Sequence, residues 1–243
     1  MRAYKFLMNE YKAMYGDFQY EIGETYIHNG EIRLCEAGFH ASKEIKDAIG
    51  YCNGSHLVEV ELGGDIIEGG DKVVASEITI LRELDLVKEL ETLAGDEHWR
   101  VRRAIAKNPN TSVKALGTLA GDEDYCVRRI IAENPNTPAK ILETLAGDEN
   151  WGVRRGVAEN PNTPIKTLKI LAGDEYWDVR WAVAENPNTP IKTLKILAGD
   201  GDEDVRRAIA ENPNTPIKTL KILADDEYWW VRRAANSNIN KRK

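Results

Sequence analysis

A repeat of 26 residues fills the last two thirds of this 243-residue chain and constrains its fold more than any other feature. Asn-Pro-Asn-Thr recurs at this spacing, and so does Val-Arg-Arg or its variant Val-Arg-Trp, which begins at Val101, Val127, Val153, Val179, Val205 and Val231. Six units follow in register: 85–110, 111–136, 137–162, 163–188, 189–214 and 215–240. A unit this short cannot bury its own apolar face, so we expect the units to stack into a solenoid.

Each unit has the sequence pattern of two helices. In the third unit, Thr137 and Pro138 predict a helix start, with the threonine as N-cap and the proline in the first turn. Gly147 predicts a left-handed C-terminal residue, and Asp148 predicts the cap of a second helix. Pro161 ends that helix. The repeat therefore predicts an all-α C-terminal region.

The repeated string at 153–164, followed by a leucine-rich helix and Leu-Ala-Gly-Asp, resembles the leucine-rich repeat variant family, a HEAT-like solenoid. The resemblance covers residues 85–240. It implies a right-handed superhelix of alternating helices, and it allows one of the two helices to be 3₁₀ in character. It carries no particular activity with it.

Residues 1–84 lack the repeat and show β-type runs with turn signals between them. The runs predict strands at 3–7, 18–26, 38–41, 56–62 and 73–80, separated by turns that include Gly63-Gly64-Asp65, and a helix at 43–51 capped by Ser42. This part has 8 basic and 15 acidic residues, whereas the remaining chain has 25 of each. We therefore predict an acidic α+β head at 1–84, an all-α right-handed solenoid of six units at 85–240, and a basic tail at 241–243.

The head resembles a small uncharacterised domain found at the N-termini of bacterial and bacteriophage proteins, through Phe18-Gln19-Tyr20-Glu21 and the segment 35–41. Its Gly-Phe-His segment also resembles, distantly, NAD-binding ADP-ribosyltransferase folds. That second resemblance implies roles for a strand histidine and a later glutamate. The corresponding catalytic candidates are His40, Glu59 and Glu61.

Two rows of basic residues and one row of aromatic residues repeat on the second helix of the units. The first basic row is Arg102, Arg128, Arg154, Arg180, Arg206 and Arg232; the second is Arg103, Arg129, Arg155, Trp181, Arg207 and Arg233; the aromatic row is Trp99, Tyr125, Trp151, Trp177 and Trp229, with Glu203 in the fifth unit. One interpretation is local ion pairing at i, i+4, as in Arg155–Glu159, Asp124–Arg128 and Asp202–Arg206. The other is a surface that grips a partner.

We expect the chain to bind rather than to catalyse, as a scaffold that captures a protein partner on the repeat surface. The predicted binding residues are Arg102, Arg128, Arg154, Arg155, Arg180, Arg206, Trp151, Trp177, Trp181, Trp229 and Trp230. The head resemblance adds the hypothesis of a phage-encoded inhibitor of a host factor. The alternatives are an ADP-ribosyltransferase-like or nucleotide-binding head with the solenoid as adaptor, and nucleic-acid binding along the arginine rows.

Composition excludes several other classes. The three cysteines lack metal-ligand or disulfide spacing, so we predict no metal and no cofactor. The net charge of −7 disfavours nucleic acid. Without an apolar run long enough for a membrane span or a signal peptide, we expect a cytoplasmic protein. Trp229-Trp230 in the last unit suggests an end-to-end dimer.

Overall fold

The computed structural model describes residues 1–13, 18–51 and 54–242. The chain divides into two compact units, Met1–Leu119 and Ala120–Lys243. The predicted domain boundary at 84/85 stays a prediction; strand β5 ends at Glu83 and helix α2 begins at Leu86.

The first unit starts with an antiparallel sheet. Its strands are β1 (Arg2–Leu7), β2 (Thr25–Ile27), β3 (Phe39–Ser42), β4 (His56–Gly69) and β5 (Lys72–Glu83), with helix α1 (Ile45–Tyr51) between β3 and β4. The strand order is β2-β5-β3-β1-β4, and β4 also pairs with β5, so four strands close on themselves. The closed sheet surrounds an apolar core that includes Leu7, Val60 and Ile78. The predicted α+β head is therefore confirmed.

Three local predictions in the head were wrong. Gly63-Gly64-Asp65 is a bulge inside β4 rather than a turn, because Gly64 takes a φ of 63° and the Asp65 N–H donates to Ser76 Oγ across the strand pair. Of the run 18–26, only Thr25 and Tyr26 lie in a strand, and the ring of Tyr20 packs edge to face on Phe18 and on Tyr26. Ser42 ends β3 and does not cap the helix.

The helices of the repeats follow in regular order. In the compact unit Met1–Leu119 they are α2 (Leu86–Leu93), α3 (Trp99–Lys107) and α4 (Val113–Leu119). In the compact unit Ala120–Lys243 they are α5 (Tyr125–Glu133), α6 (Ala139–Leu145), α7 (Trp151–Glu159), α8 (Ile165–Leu171), α9 (Trp177–Glu185), α10 (Ile191–Leu197), α11 (Glu203–Glu211), α12 (Ile217–Leu223) and α13 (Trp229–Asn240). Short and long helices alternate, as a helical-repeat solenoid requires.

In the compact unit Ala120–Lys243, each long helix packs against the next long helix along the chain; these helices are α5, α7, α9, α11 and α13. Each buries an apolar pair, as Val153 and Val157 do on α7, and the short helices add leucines such as Leu142 and Leu145 on α6. The short helices are α-helical. A 3₁₀-type bond occurs at their first turn, where the Ile141 N–H donates to Pro138 O.

Helix ends differ from the prediction in a consistent way. Thr137 does not cap α6: its hydroxyl donates to Ile131 O, 2.6 Å away at the end of α5, and Pro138 occupies the N-cap position. Gly147 is not left-handed; the described glycines with positive φ all lie in the head. The cap of α7 is Asn150, whose side chain accepts from the Gly152 N–H. Asp148 therefore has a different role.

Candidate functional site: an internal ladder and an exposed patch

The first arginine row forms an ion-pair ladder between successive repeats. Four of its guanidinium groups donate Nε–H and Nη2–H to the two carboxylate oxygens of an aspartate 20 residues further along the chain. The pairs are Arg128–Asp148, Arg154–Asp174, Arg180–Asp200 and Arg206–Asp226, with Nε–Oδ2 distances of 2.6–2.7 Å. We call this set the arginine ladder. Such two-pronged contacts are among the stronger polar interactions in proteins.

Arg154 shows how completely one rung is satisfied. Its Nη1 donates to Asp148 O at 2.9 Å and Glu149 O at 3.1 Å, while Nε and Nη2 hold Asp174. Asp174 Oδ1 also accepts from the Tyr176 N–H at 3.0 Å. The side chains of Arg154 and Asp174 are only 10% and 7% exposed. The rung therefore joins α7 to two turns, the one before α7 and the one before α9.

The charges of the rung shift the pKa of both partners. The hydrogen bonds that Arg154 donates to Asp174 raise the pKa of Arg154 above its usual value. Burial by itself would raise the pKa of Asp174, but the hydrogen bonds from Arg154 and from the Tyr176 N–H outweigh it, and the pKa is lowered. Both groups are therefore held in their charged forms.

This arrangement places five predicted binding residues inside the protein. Arg128, Arg154, Arg180 and Arg206 belong to the ladder, and Arg102 in the first unit donates Nη1 to Asp96 O and Glu97 O. The predicted pairs Asp124–Arg128 and Asp202–Arg206 were wrong, because those two aspartates cap α5 and α11 instead. Asp148, predicted as a cap, is likewise a ladder carboxylate.

The second row and the aromatic row reach the surface. The i, i+4 pairs Arg129–Glu133, Arg155–Glu159 and Arg207–Glu211 are present at 3.4, 2.7 and 3.0 Å. Trp151 and Trp177 begin α7 and α9, and their side chains remain 38% and 42% exposed.

Side chains on α7, on α9 and in the turn before α9 contact one another in two pairs. The Arg155 guanidinium lies 5.1 Å above the ring of Trp181, the residue that replaces arginine in the fourth unit. Trp151 stacks on Tyr176 with 6.1 Å between ring centroids. We call Trp151, Arg155, Tyr176, Trp177 and Trp181 the aromatic patch.

The last helix carries its own aromatic pair. Trp229 is exposed, and Trp230 packs on Tyr228 at 4.9 Å and on Trp229 at 5.8 Å between ring centroids. A cleft of about 780 Å³ lies beside them, lined also by Arg233 and Arg242. The end-to-end dimer proposed for this end stays a prediction.

The sequence interpretation missed an apolar row on the short helices. Ile170, Ile196 and Ile222 are 63%, 65% and 70% exposed. In the heptapeptide Ile-Lys-Thr-Leu-Lys-Ile-Leu, the leucines and the threonine face inward. The sixth residue, an isoleucine, therefore cannot lie on that face. The helical period places the sixth residue of the heptapeptide on the outward face. Interpreting the heptapeptide only as a leucine-rich helix concealed that position.

The catalytic candidates of the head lie apart in the fold. His40 lines a cleft of about 630 Å³ with aromatic and lysine side chains, and burial lowers its pKa. Glu59 and Glu61 do not line this cleft. Glu59 is buried on β4 and accepts from Arg82 Nε at 2.6 Å and Arg2 Nη1 at 3.2 Å; the bond from Arg82 lowers its pKa. Glu61 is exposed. The structure does not bring His40 and either predicted glutamate to one site; the glutamate that lines the cleft with His40 is Glu36.

Among the residues that the structure describes, no three His, Cys, Asp or Glu side chains lie together as a metal site would need. In the same part of the chain, no helix has the length and apolar character to cross a membrane.

Comparison with known proteins agrees with this architecture. Residues 1–92 match the model of a domain of unknown function (DUF7666), residues 99–124 match the leucine rich repeat variant, and residues 152–213 match the leucine rich repeat variant domain. No curated protein sequence matches the chain.

The fold is similar to a solved leucine-rich repeat variant described as having a novel repetitive structural motif, at 28% identity and a TM-score of 0.52. The match covers 63% of this chain and 61% of that one, so the chain spans less than two thirds of that protein's length. An Escherichia coli protein, YibA, is similar at 22% identity and a TM-score of 0.47, covering 64% of this chain and 70% of its own. The chain therefore carries a DUF7666 domain followed by leucine-rich repeat variant units.

Proposed function

We propose that this chain is a non-enzymatic scaffold that captures a protein partner through the aromatic patch. The observation that carries the proposal is the division of the two arginine rows: Arg154 is used inside the repeat, whereas its neighbour Arg155 lies at the surface against Trp181. Tryptophan, tyrosine and arginine are the residue types that contribute most at protein interfaces. The patch combines all three.

The ladder supports binding by fixing the patch in advance. Arg154 and Asp174 tie α7 to the turn before α9, and these two helices carry the patch. Side chains held on a rigid framework lose less conformational entropy when a partner binds. We therefore expect the patch to bind without a large rearrangement of the repeats.

The head domain narrows the class of protein that we propose as the partner. Its resemblance to N-terminal domains of bacteriophage proteins supports a bacterial host factor as the partner, captured in the cytoplasm. The aromatic patch does not distinguish this partner from any other protein of similar surface.

Capture by a triple variant tests the proposal. Trp151→Ala, Trp177→Ala and Trp181→Arg remove the rings, and the last change restores the residue of the other units. The immobilised wild-type chain should retain a protein that mass spectrometry identifies. We expect the immobilised triple variant to lose that protein, while its helical circular dichroism stays unchanged. Ile196→Lys, on the short-helix row, is the matched control. Equal capture by the triple variant and the control contradicts the proposal.

Helix α3 supports a second candidate, binding of a nucleic-acid backbone. Lys107 stands where the next four units have glutamate, so Arg103 lacks its i, i+4 acid. Arg100 and Arg103 lie 5.6 and 5.9 Å from the Trp99 ring, beside a cleft of about 690 Å³ that Lys46 also lines. Exposed cations of this kind favour phosphate.

A gel shift at two salt concentrations tests this candidate. Backbone binding must weaken steeply as salt rises, because it releases condensed counterions. We expect a triple change of Arg100, Arg103 and Lys107 to glutamine to abolish the shift. A shift that is insensitive to salt or to the triple change removes the candidate.

A further inference from the structure

The short helices α8, α10 and α12 share one heptapeptide, Ile-Lys-Thr-Leu-Lys-Ile-Leu, and one division between buried and exposed positions. The threonine at position three and the leucines at positions four and seven are buried. The isoleucines at positions one and six and the lysines at positions two and five are exposed. We call positions one, two, five and six of 165–171, 191–197 and 217–223 the isoleucine–lysine face.

Helical geometry places the four exposed positions of each helix side by side. Successive residues lie about 100° apart, so positions one, five, two and six lie at about 0°, 40°, 100° and 140° around the axis. On α10 this order is Ile191, Lys195, Lys192 and Ile196. Each helix therefore presents two cations between two apolar side chains within less than half of its circumference.

The three helices belong to one layer of the compact unit Ala120–Lys243. Helix α8 packs on α7 and α9, α10 packs on α9 and α11, and α12 packs on α11 and α13. Consecutive repeats follow the same geometry, so equivalent side chains of a solenoid lie in rows. The outward sides of α8, α10 and α12 therefore form one continuous surface.

The lysines of the isoleucine–lysine face carry charge that the protein does not use. Within residues 1–13, 18–51 and 54–242, none of their ammonium groups forms an ion pair or a hydrogen bond. Exposed arginines of the long helices, by contrast, pair with glutamates, as Arg155 does with Glu159 and Arg207 does with Glu211. The three heptapeptides contain no aspartate or glutamate. The face is therefore positively charged, although the repeat region as a whole is neutral.

Helix α6 shows that the fold does not require this surface. It has the same length and the same buried leucines at positions four and seven, but positions one, five and six are Ala139, Glu143 and Thr144. Isoleucine is a poorer helix former than alanine, and contiguous exposed apolar side chains mark sites of interaction. The exposed isoleucines of α8, α10 and α12 therefore point to a contact made outside the chain.

We propose that the isoleucine–lysine face binds the surface of an anionic lipid bilayer. Lysine ammonium groups attract anionic headgroups, while isoleucine side chains enter the boundary between headgroups and acyl chains. The aliphatic part of each lysine follows the isoleucines inward, and its ammonium group stays among the headgroups. Exposed charges act over about 8–10 Å at physiological salt, so the charge of the face matters more than the net charge of the chain.

The composition of the face disfavours the other classes of macromolecule. Protein interfaces are enriched in aromatic residues and arginine and depleted in lysine, whereas this face has lysine and neither of the other two. A nucleic-acid backbone would bind the lysines but would leave the isoleucines exposed to water. A bilayer accommodates both. This surface is separate from the aromatic patch, and the inference goes beyond the proposed function.

Flotation of the full chain with lipid vesicles tests the proposal. One preparation is phosphatidylcholine alone and the other contains about one third phosphatidylglycerol, both at about 0.1 M salt. We expect the chain to float with the anionic vesicles, to stay unbound with the neutral ones, and to dissociate as salt rises. Absence from the anionic vesicles, or equal binding to both preparations, overturns the proposal.

Two triple variants show whether this face makes the contact. The first places at position six the threonine that α6 has there: Ile170→Thr, Ile196→Thr and Ile222→Thr. The second removes three charges: Lys169→Gln, Lys195→Gln and Lys221→Gln. Each should lower the partition coefficient on anionic vesicles at least about 10-fold, because it removes inserted apolar groups or attraction to the headgroups.

A control variant removes the same charge from the long helices: Arg129→Gln, Arg207→Gln and Arg233→Gln. We expect it to change the partition coefficient less than about threefold, since these side chains lie outside the face. A loss in the control equal to that in the lysine variant overturns the proposal. The comparison of the two vesicle preparations uses the unaltered chain, so it decides even if a variant fails to fold.

A soluble acidic protein is the remaining occupant. If the immobilised chain retains such a protein, both triple variants lose it and the anionic vesicles stay unbound, the face binds protein and the proposal is overturned. The vesicles carry no protein, and Trp151, Trp177 and Trp181 are unchanged in every variant. Failure of this inference is thus distinguishable from failure of the proposed function.

Discussion

Neighbouring arginines in one dipeptide have opposite environments in this protein. Arg154 is buried and binds Asp174 and two carbonyls, whereas Arg155 lies at the surface with Glu159 and Trp181. Successive helical residues point about 100° apart, so one faces the next repeat and the other faces outward. The role of each therefore depends on its direction and not on its residue type.

The ladder predicts a loss of stability in acid. Asp148, Asp174, Asp200 and Asp226 have pKa values lowered in the folded state, because arginine hydrogen bonds and charges outweigh the effect of burial. A carboxyl with a lowered folded pKa stabilises the fold fully above its unfolded pKa, and this contribution is lost as pH falls through the folded pKa.

We therefore expect the urea midpoint to be nearly constant from neutral pH down to about pH 5 and to fall below about pH 4, near the unfolded pKa of aspartate. Asp174→Asn should make that fall shallower, since one titrating rung is gone. A midpoint that rises on acidification would contradict the ladder.

At this scale the sequence predicted the surface pairs but not the ladder. The pair Arg155–Glu159 lies within one helix, so the helical period reveals it. Arg154 and Asp174 lie in different units, and their spacing of 20 residues has no meaning until the stacking geometry is known. Asp148 therefore resembled a helix cap.

At the scale of the helix and the turn, the repeated Asn and Thr side chains link consecutive repeats. Asn186 donates its side-chain amide to Ala158 O at 2.7 Å and to Asn160 O at 3.2 Å, in the unit before its own. Thr189 donates to Val183 O at 2.6 Å, at the end of α9. These bonds supply side-chain donors to carbonyls at and just after the helix ends, where the intrahelical pattern stops. Cap statistics alone assign such residues to the following helix, which explains the wrong prediction for Thr137.

Removing one of these amides should be costly. Asn186→Ala leaves the buried Ala158 carbonyl without its side-chain donor and leaves Asn160 O with the Thr163 N–H alone, and we expect the free energy of unfolding to fall by about 2–3 kcal/mol. Asn188→Ala, which loses a single exposed bond to Pro161 O, is the control and should cost about 1 kcal/mol or less. Urea unfolding measures both, and equal losses would show that the buried link is unimportant.

Glycine substitutions test the corrected helix ends. Gly147 has an ordinary backbone and space for a methyl group, so Gly147→Ala should leave stability unchanged or raise it by up to about 1 kcal/mol. Gly70 also has open space but a φ of 63°, so Gly70→Ala should cost about 1 kcal/mol. Thermal unfolding of the two variants measures both changes in stability. A marked loss of stability in Gly147→Ala would support a left-handed conformation at Gly147.

For the whole molecule, the period of 26 was enough to predict a helical-repeat solenoid behind an α+β head. Each internal rung contributes one arginine and one aspartate, which explains part of the equal numbers of acidic and basic residues in the repeat region. Net charge therefore says little about its surface. The patch around Trp181 was beyond sequence reasoning, since it depends on which side chains of two neighbouring helices face outward together.

The central claim is that the first arginine row builds the protein and the second is displayed on it. Urea unfolding of Arg154→Gln beside Arg155→Gln tests this claim with the same change at adjacent positions. We expect Arg154→Gln to lose about 3 kcal/mol or more, because it leaves the buried Asp174 carboxylate unpaired, and Arg155→Gln to lose at most about 1 kcal/mol. Equal losses, or a larger loss at Arg155, would contradict the account.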